Sequence, residues 1–452
     1  MTRELVPTSG ETIGRPRKGG LYMWALALVV GALAAGAIVA LRTLISYGEF
    51  IAFGAARGRL SSHLLEIPWW SRMLGPIVGG ALVALLLRLG IAMGWGPAPR
   101  PYGLADVIQH RRLRGHIRST TLSLRDSILS AIVSIVSLGW GASAGREEPA
   151  AHLGASLAVL PGRLLGLKPA SRRMLLGMGV AAAISAVLHA PITGVFLARE
   201  LVLRNQRLST LGPAVTASFA AWLLTITQFG AEPVIEVPNP GPIPPEFHLV
   251  AILAAPILGA FAFGASALWT RAPVIVATGA ARIRVPLWLL PFFGGILLGV
   301  IAMAFPQAMG IGYEPLATSL AGAYYSAQLM PVLALAKIAA TAITLAFRFG
   351  GGSIAPSLYV GAMSGATMGV VAGLALGDAA GAQVYFGLLG MAVSFAIVTN
   401  APFAAGILAF ELSGSPPIGA AALLAGFVAS MTVRRFTPAP VIEETGHALR
   451  WR

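Results

Sequence analysis

Apolar residues come along this chain in runs of roughly twenty, long enough to cross a lipid bilayer as helices, and short polar stretches divide them. The pattern predicts helices over 21–45, 68–93, 119–138, 150–165, 170–188, 190–203 and 211–229 in the first half. In the second half it predicts 249–269, 287–305, 329–347, 357–376, 384–399, 401–412 and 416–433, with a short helix over 441–452. Several runs are too short to span alone, which suits broken and re-entrant helices packed inside protein. The expected architecture is an all-α polytopic membrane protein. A polar segment over 1–20 leads into one membrane half, 21–228. An external loop, 229–248, joins it to a second half, 249–452.

Composition supports that class: 56% of residues are hydrophobic, 11% are charged, and the mean hydropathy is +0.78. The formal net charge of +15 would suggest nucleic acid in a soluble protein, but here the basic residues gather in the short connections 110–118, 204–207, 271–284 and 434–435. The positive-inside rule explains them better, and nucleic acid is set aside. The same rule puts both termini in the cytoplasm of a multi-pass protein of the cell (inner) membrane. The loops 230–248 and 306–315 contain no Lys or Arg and belong outside. Arg15, Arg17 and Lys18 precede a run too long for the core of a signal peptide. Cysteine is absent and the seven His residues are scattered, so neither a disulfide framework nor a metal site is expected. No enzyme signature is present, and no cofactor is implied.

One stretch departs from the apolar pattern at depth. Gly141-Ala-Ser-Ala-Gly-Arg-Glu-Glu-Pro-Ala-Ala-His-Leu-Gly154 puts Arg146, Glu147 and Glu148 between two apolar runs. Charge in the membrane interior is costly and therefore a functional signal. Pro149 suits the first turn of a new helix. A helix beginning there turns unpaired N–H groups and the positive end of its dipole toward the break, which favours an anion. A second glycine break, Gly350-Gly-Gly-Ser-Ile-Ala-Pro356, lies in the other half. Gly145, Pro149 and Gly154 match Gly352, Pro356 and Gly361 at an offset of 207, and the segments starting at Ala190-Pro and Ala401-Pro, each ending in a glutamate, match at 211. Paired breaks in two halves point to a transport site at a repeat interface.

These residues resemble the CLC family of chloride channels and chloride/proton exchangers, over almost the whole chain from Leu21 on. Gly145-Arg-Glu-Glu-Pro-Ala-Ala-His-Leu-Gly154 is similar to the family's G-[KR]-E-G-P-x-x-x-[IL]-[GA], and Gly352-Ser-Ile-Ala-Pro356 to G-x-[FI]-x-P. The doubled Ala-Pro…Gly…Glu segment completes the set. The resemblance implies a CLC-like inverted repeat and a homodimer with one anion pathway per subunit, holding bound chloride ions. It implies that Glu147 is the gating glutamate, that Gly145 and Arg146 flank it, and that Gly352, Ser353, Ile354 and Ala355 bind the anion. Backbone N–H groups of Ser353 and Ile354 would face it.

The departures from the family pattern are specific. Pro101-Tyr-Gly-Leu-Ala105 stands where the family has G-S-G-I-P, so Tyr102 replaces the anion-donating serine, beside Gly103. Glu148 replaces the glycine after the gating glutamate. The inner proton-transfer glutamate of the exchangers corresponds to Leu201, and the central tyrosine falls opposite Ile442. No regulatory domain is expected beyond Arg452. Glu148 is weighed as a first-turn carboxylate against a second proton or anion-repelling group. Arg146 is weighed as an attracting charge against a structural partner, and Tyr102 as a hydroxyl donor against a packing aromatic. Glu200, Glu411, His152 and His189 read as structural. The function expected is passage of monovalent anions, chloride first, with weak or no proton coupling. The rival readings are a coupled chloride/proton exchanger, a secondary transporter of an organic anion, and a non-conducting scaffold.

Overall fold

The structure, a computed structural model, describes residues 20–94, 101–112, 122–204, 211–238, 244–282, 284–321, 325–377 and 379–434. These form seventeen α-helices and a single isolated β-bridge. The first half contains α1 (Gly20–Phe53), α2 (Leu60–Glu66), α3 (Trp69–Ala92), α4 (Leu104–Arg112) and α5 (Leu124–Gly139). It continues with α6 (Glu147–Leu164), α7 (Pro169–Leu188), α8 (Pro191–Ala198) and α9 (Gly212–Phe229). The second contains α10 (Pro245–Arg282), α11 (Leu290–Ala304), α12 (Tyr313–Leu320) and α13 (Leu329–Ala346). It closes with α14 (Ile354–Leu376), α15 (Ala379–Thr399), α16 (Pro402–Ser413) and α17 (Pro416–Arg434). Nine of the described helices are long and apolar enough to cross a membrane. The chain is a multi-pass membrane protein.

α1 shows how composition becomes placement. Ala27, Val30, Ala34, Ile38, Leu41 and Ile45 recur every three or four residues and are buried, whereas Leu21, Leu28, Leu44 and Ile51 are exposed. In a bilayer those exposed side chains meet lipid, and packing rather than hydrophobicity decides which face turns inward. At about 1.5 Å per residue, the 34 residues of α1 are longer than a hydrocarbon core of about 30 Å, so the helix must tilt.

The two halves are built alike. α6 lies along α7 as α14 lies along α15, and α9 packs on α1 and α7 as α17 packs on α10 and α15. Across the repeat, α3 meets α11 and α8 meets α16. The matching Ala-Pro segments begin after His189 and Asn400, both in left-handed backbone (φ 56° and 53°). Each helix then caps the other. Glu411, at the end of α16, accepts from the N–H groups of Ile192 (2.8 Å) and Thr193 (2.7 Å). Glu200, just past α8, accepts from those of Phe403 (3.3 Å) and Ala404 (2.8 Å). Helix starts leave donors unpaired, and a carboxylate satisfies them and complements the dipole. These glutamates are structural, and the offset of 211 seen in the sequence is the offset between the two caps.

Close approach of paired helices depends on glycine. A Cβ on Gly361 of α14 would lie 2.3 Å from the carbonyl oxygen of Gly390 on α15. Its repeat counterpart, Gly154 of α6, would meet the carbonyl oxygen of Gly179 on α7 at 2.6 Å. Gly390→Leu should therefore cost stability at the upper end of the roughly 1–3 kcal/mol typical of overpacking, whereas Gly36→Leu, which has nothing within 4 Å of the new Cβ, should cost little. Thermal unfolding of both variants in detergent checks this. Equal melting temperatures would mean that the α14–α15 contact is not tight.

Several boundaries differ from expectation. The helix expected at 150–165 begins at Glu147, so both glutamates lie in its first turn and Pro149 occupies the third helical position, where its missing N–H costs nothing. The helix expected at 357 likewise begins at Ile354. α1 continues to Phe53, and α10 runs on to Arg282 through the basic segment read as a connection. The loop expected over 306–315 holds a short 3₁₀ turn and the start of α12. Three short helices, α2, α4 and α12, were not anticipated. Most of the basic loop 110–118, the N-terminal segment and the predicted helix at 441–452 lie outside the described residues.

Candidate functional site

The two glycine breaks meet. Gly145 and Gly352 form an antiparallel bridge, each N–H donating to the other's carbonyl at 2.8 Å. From this bridge α6 and α14 set out with their N-termini side by side. Ser143 and Ser137 fasten the turns: the N–H of Ser143 donates to Thr344 Oγ1 (3.1 Å), and the N–H of Gly350 donates to Ser137 Oγ (2.8 Å). A side chain at either bridge position would displace a glutamate. A Cβ on Gly145 would lie 2.1 Å from Glu147 Oε2, and one on Gly352 would lie 2.5 Å from Glu148 Cδ.

Each glutamate crosses from α6 to the start of α14. Fully buried Glu147 accepts from the N–H of Ala355 (3.2 Å) through Oε2, and from the hydroxyl of Tyr313 through Oε1. Glu148 Oε1 accepts from the N–H of Ser353 (2.7 Å) and from its hydroxyl (3.0 Å). Ile354, between these two donors, is fully buried. The carboxylates take up N–H groups at the start of α14, where an N-terminus favours negative charge through its unpaired donors and its dipole.

Arg146 is buried and comes before the first turn of α6. Its guanidinium carbon lies 5.5 Å from the Tyr313 ring centroid, within cation–π range. Its Nε finds no hydrogen-bond partner among the described residues. The Glu147 carboxylate takes its bonds from Tyr313 and Ala355; among the described residues it forms no ion pair with Arg146.

Tyr102 and Gly103 come up on the other side of Glu148. A Cβ on Gly103 would lie 3.1 Å from Glu148 Oε2. The Tyr102 ring stacks on His152 at 5.6 Å between centroids, and its backbone is clasped by Ser130. The N–H of Gly103 donates to buried Asp106 (3.0 Å), which fixes the start of α4. Leu201 is buried in a π-helical turn, Arg199–Leu203, that packs on α4 and α7. Ile442 lies outside the described residues.

Two contributors were not found in the sequence. Tyr313 sat in a stretch read as a loop. Lys337, fully buried in α13, donates from Nζ to the carbonyls of Gly310 (2.7 Å) and Ala308 (3.2 Å). It thereby holds the turn that presents Tyr313. A lysine inside the apolar run 329–347 carried the same depth signal as Glu147. Among the described residues, no group of three His, Asp or Glu side chains is placed to hold a metal ion.

The family model described as voltage gated chloride channel matches residues 79–434. A ClcB-like chloride channel protein of Ralstonia nicotianae is 29% identical, over 86% of this chain and 89% of its own length. A voltage-gated ClC-type chloride channel, ClcB, of Salmonella dublin is 25% identical over 90% of this chain and 95% of its own. Among solved structures, that of a slow cyanobacterial Cl⁻/H⁺ antiporter superposes with a TM-score of 0.81 over 95% of this chain and 98% of its own, at 18% identity. The match to the family model spans both glycine breaks and both Ala-Pro segments, and the chain belongs to the voltage gated chloride channel family, the CLC proteins, whose members are anion channels or chloride/proton antiporters and not enzymes.

Proposed function

We propose that this protein passes monovalent anions, chloride first, along a route running by the paired N-termini of α6 and α14, with Glu147 as its gate. One observation carries the reading: a buried carboxylate occupies donors that suit an anion, Ala355 N–H and Tyr313 hydroxyl. A deprotonated Glu147 competes with the anion for these donors, and protonation weakens its hold. Partial positive charge from helix ends replaces part of the ion's hydration without binding it too tightly to leave. Gly145, Arg146, Gly352, Ser353, Ile354 and Ala355 line the route. Arg146 raises the local anion concentration. The proposed assembly is a homodimer in the inner membrane, with both termini cytoplasmic and chloride ions bound in the route.

The apolar Leu201, where exchangers of the resembled family carry an acid, supports weak or absent proton coupling. A coupled exchanger is the second reading. It is favoured by Glu148, next to Glu147, together with Asp106 of α4 and the stacked pair of Tyr102 and His152, polar groups on a side of the site away from position 201.

The test is chloride efflux from liposomes containing the purified protein, with valinomycin to carry potassium. Efflux well above that of empty liposomes is expected. Flux confined to an organic anion would replace chloride as the substrate, and no flux from a folded protein would favour the scaffold.

A further inference from the structure

We infer that Glu148 is a second plug, filling an inner anion position in series with Glu147. The inference rests on the anion route proposed above and adds a position to it. The carboxylate of Glu148 bridges the two segments that the family resemblance marks as anion-binding. One oxygen takes the N–H and the hydroxyl of Ser353, and the other lies against the backbone at Gly103. A carboxylate needed only to cap its own helix would turn back on α6. This one reaches across to α14, as Glu147 does one residue earlier, and the two occupy donors two residues apart, Ser353 and Ala355.

The positions are separate along the route. Glu147 faces Tyr313 at the head of α12, beyond the turn that Lys337 holds. Glu148 faces the start of α4; a side chain at 352 would collide with it, and one at 103 would press on its Oε2. Glycine at those positions therefore keeps a slot for a carboxylate or for an ion of similar size. Two negative charges this close repel, and the N-terminal dipoles of α6 and α14 offset that repulsion.

Passage then requires both carboxylates to leave or to be neutral. The groups acting on Glu148 are its neighbour Glu147 from α6, Asp106 from α4 and Ser353 from α14; Tyr102, next to Gly103, stacks on His152. Arg146 is adjacent in the chain. Asp106 and Glu147 both oppose a charge at Glu148, so neutralising either carboxylate eases its neighbour. The expected signature is a rise in flux on acidification with a proton order above one, falling toward one when either glutamate becomes glutamine, and absent in the double variant.

The deciding experiment reads binding as well as flux. Bromide is titrated calorimetrically into the detergent-purified protein at pH 7.5, and crystals soaked in bromide are examined by anomalous scattering. Glu148→Gly should gain a bromide on the Ser353 N–H and bind halide at least tenfold more tightly than the unaltered chain. Glu148→Gln, which keeps the shape and loses the charge, should show an intermediate gain and guards against misfolding of the glycine variant. Unchanged halide affinity in both variants, or a new bromide away from Ser353, would overturn the second plug. If no variant carries chloride in liposomes, the proposed function fails while the binding result still decides Glu148.

Discussion

Glu147→Gln is expected to raise chloride efflux at pH 7.5 about tenfold and to flatten its pH dependence. The variant keeps the side chain's length but loses its charge and one of its two acceptor oxygens, so it can keep only one of the bonds from Ala355 and Tyr313. A unit charge 4 Å from a permeating anion costs about 4 kcal/mol at an effective dielectric constant near 20. A tenfold gain corresponds to about 1.4 kcal/mol, so only part of that repulsion must disappear from the barrier. The sign follows from which form blocks. The deprotonated carboxylate holds the donors, so flux in the unaltered protein rises as pH falls. The glutamine variant behaves at high pH as the protonated gate does, and what pH dependence it retains belongs to Glu148. Initial efflux rates between pH 4.5 and 8, on variants that elute and melt like the parent, measure this. Superimposable pH profiles for parent and variant would remove Glu147 from the gate.

The sequence revealed the repeat and the meeting of the two breaks because both depend on signals that need no tertiary contact. Charge within an apolar run is conspicuous at Arg146-Glu147-Glu148, and Gly and Pro recur at fixed offsets in the two halves. The reciprocal caps of Glu200 and Glu411 were legible as a pair for the same reason, although not which donors they satisfy. The short helices were hidden. α2 spans only 7 residues and α12 only 8, too few for hydrophobic periodicity to separate them from loops. Tyr313 was lost with α12, since a tyrosine in an apparent external loop carries no burial signal. The direction of Glu148 was also hidden. A glutamate in a first turn ordinarily serves its own helix, and only the juxtaposition of α14 shows that its partner is Ser353. Lys337 was a missed signal: its run was long and apolar, and a lysine there is as costly as a glutamate in the break.

Proton coupling is expected to be weak or absent. In liposomes loaded with high chloride and diluted into low chloride at equal pH, an exchanger would drive protons inward as chloride leaves. A tenfold chloride gradient supplies about 1.4 kcal/mol per ion for that work. A route from Glu147 to the cytoplasm needs groups that bind and release protons in turn, and buried Leu201 cannot take part. Its neighbour Glu200 is no substitute. Its carboxylate already accepts from Phe403 and Ala404 at the start of α16. Among the described residues, Glu148, Asp106, His152 and Tyr102 offer a way around position 201. The measurement therefore has a specific way to come out against the expectation. Robust uphill proton uptake, sensitive to protonophore and abolished by Glu147→Gln, would establish an exchanger that works without the inner acid. Loss of that uptake in Glu148→Gln, with chloride flux retained, would assign the relay to the second glutamate.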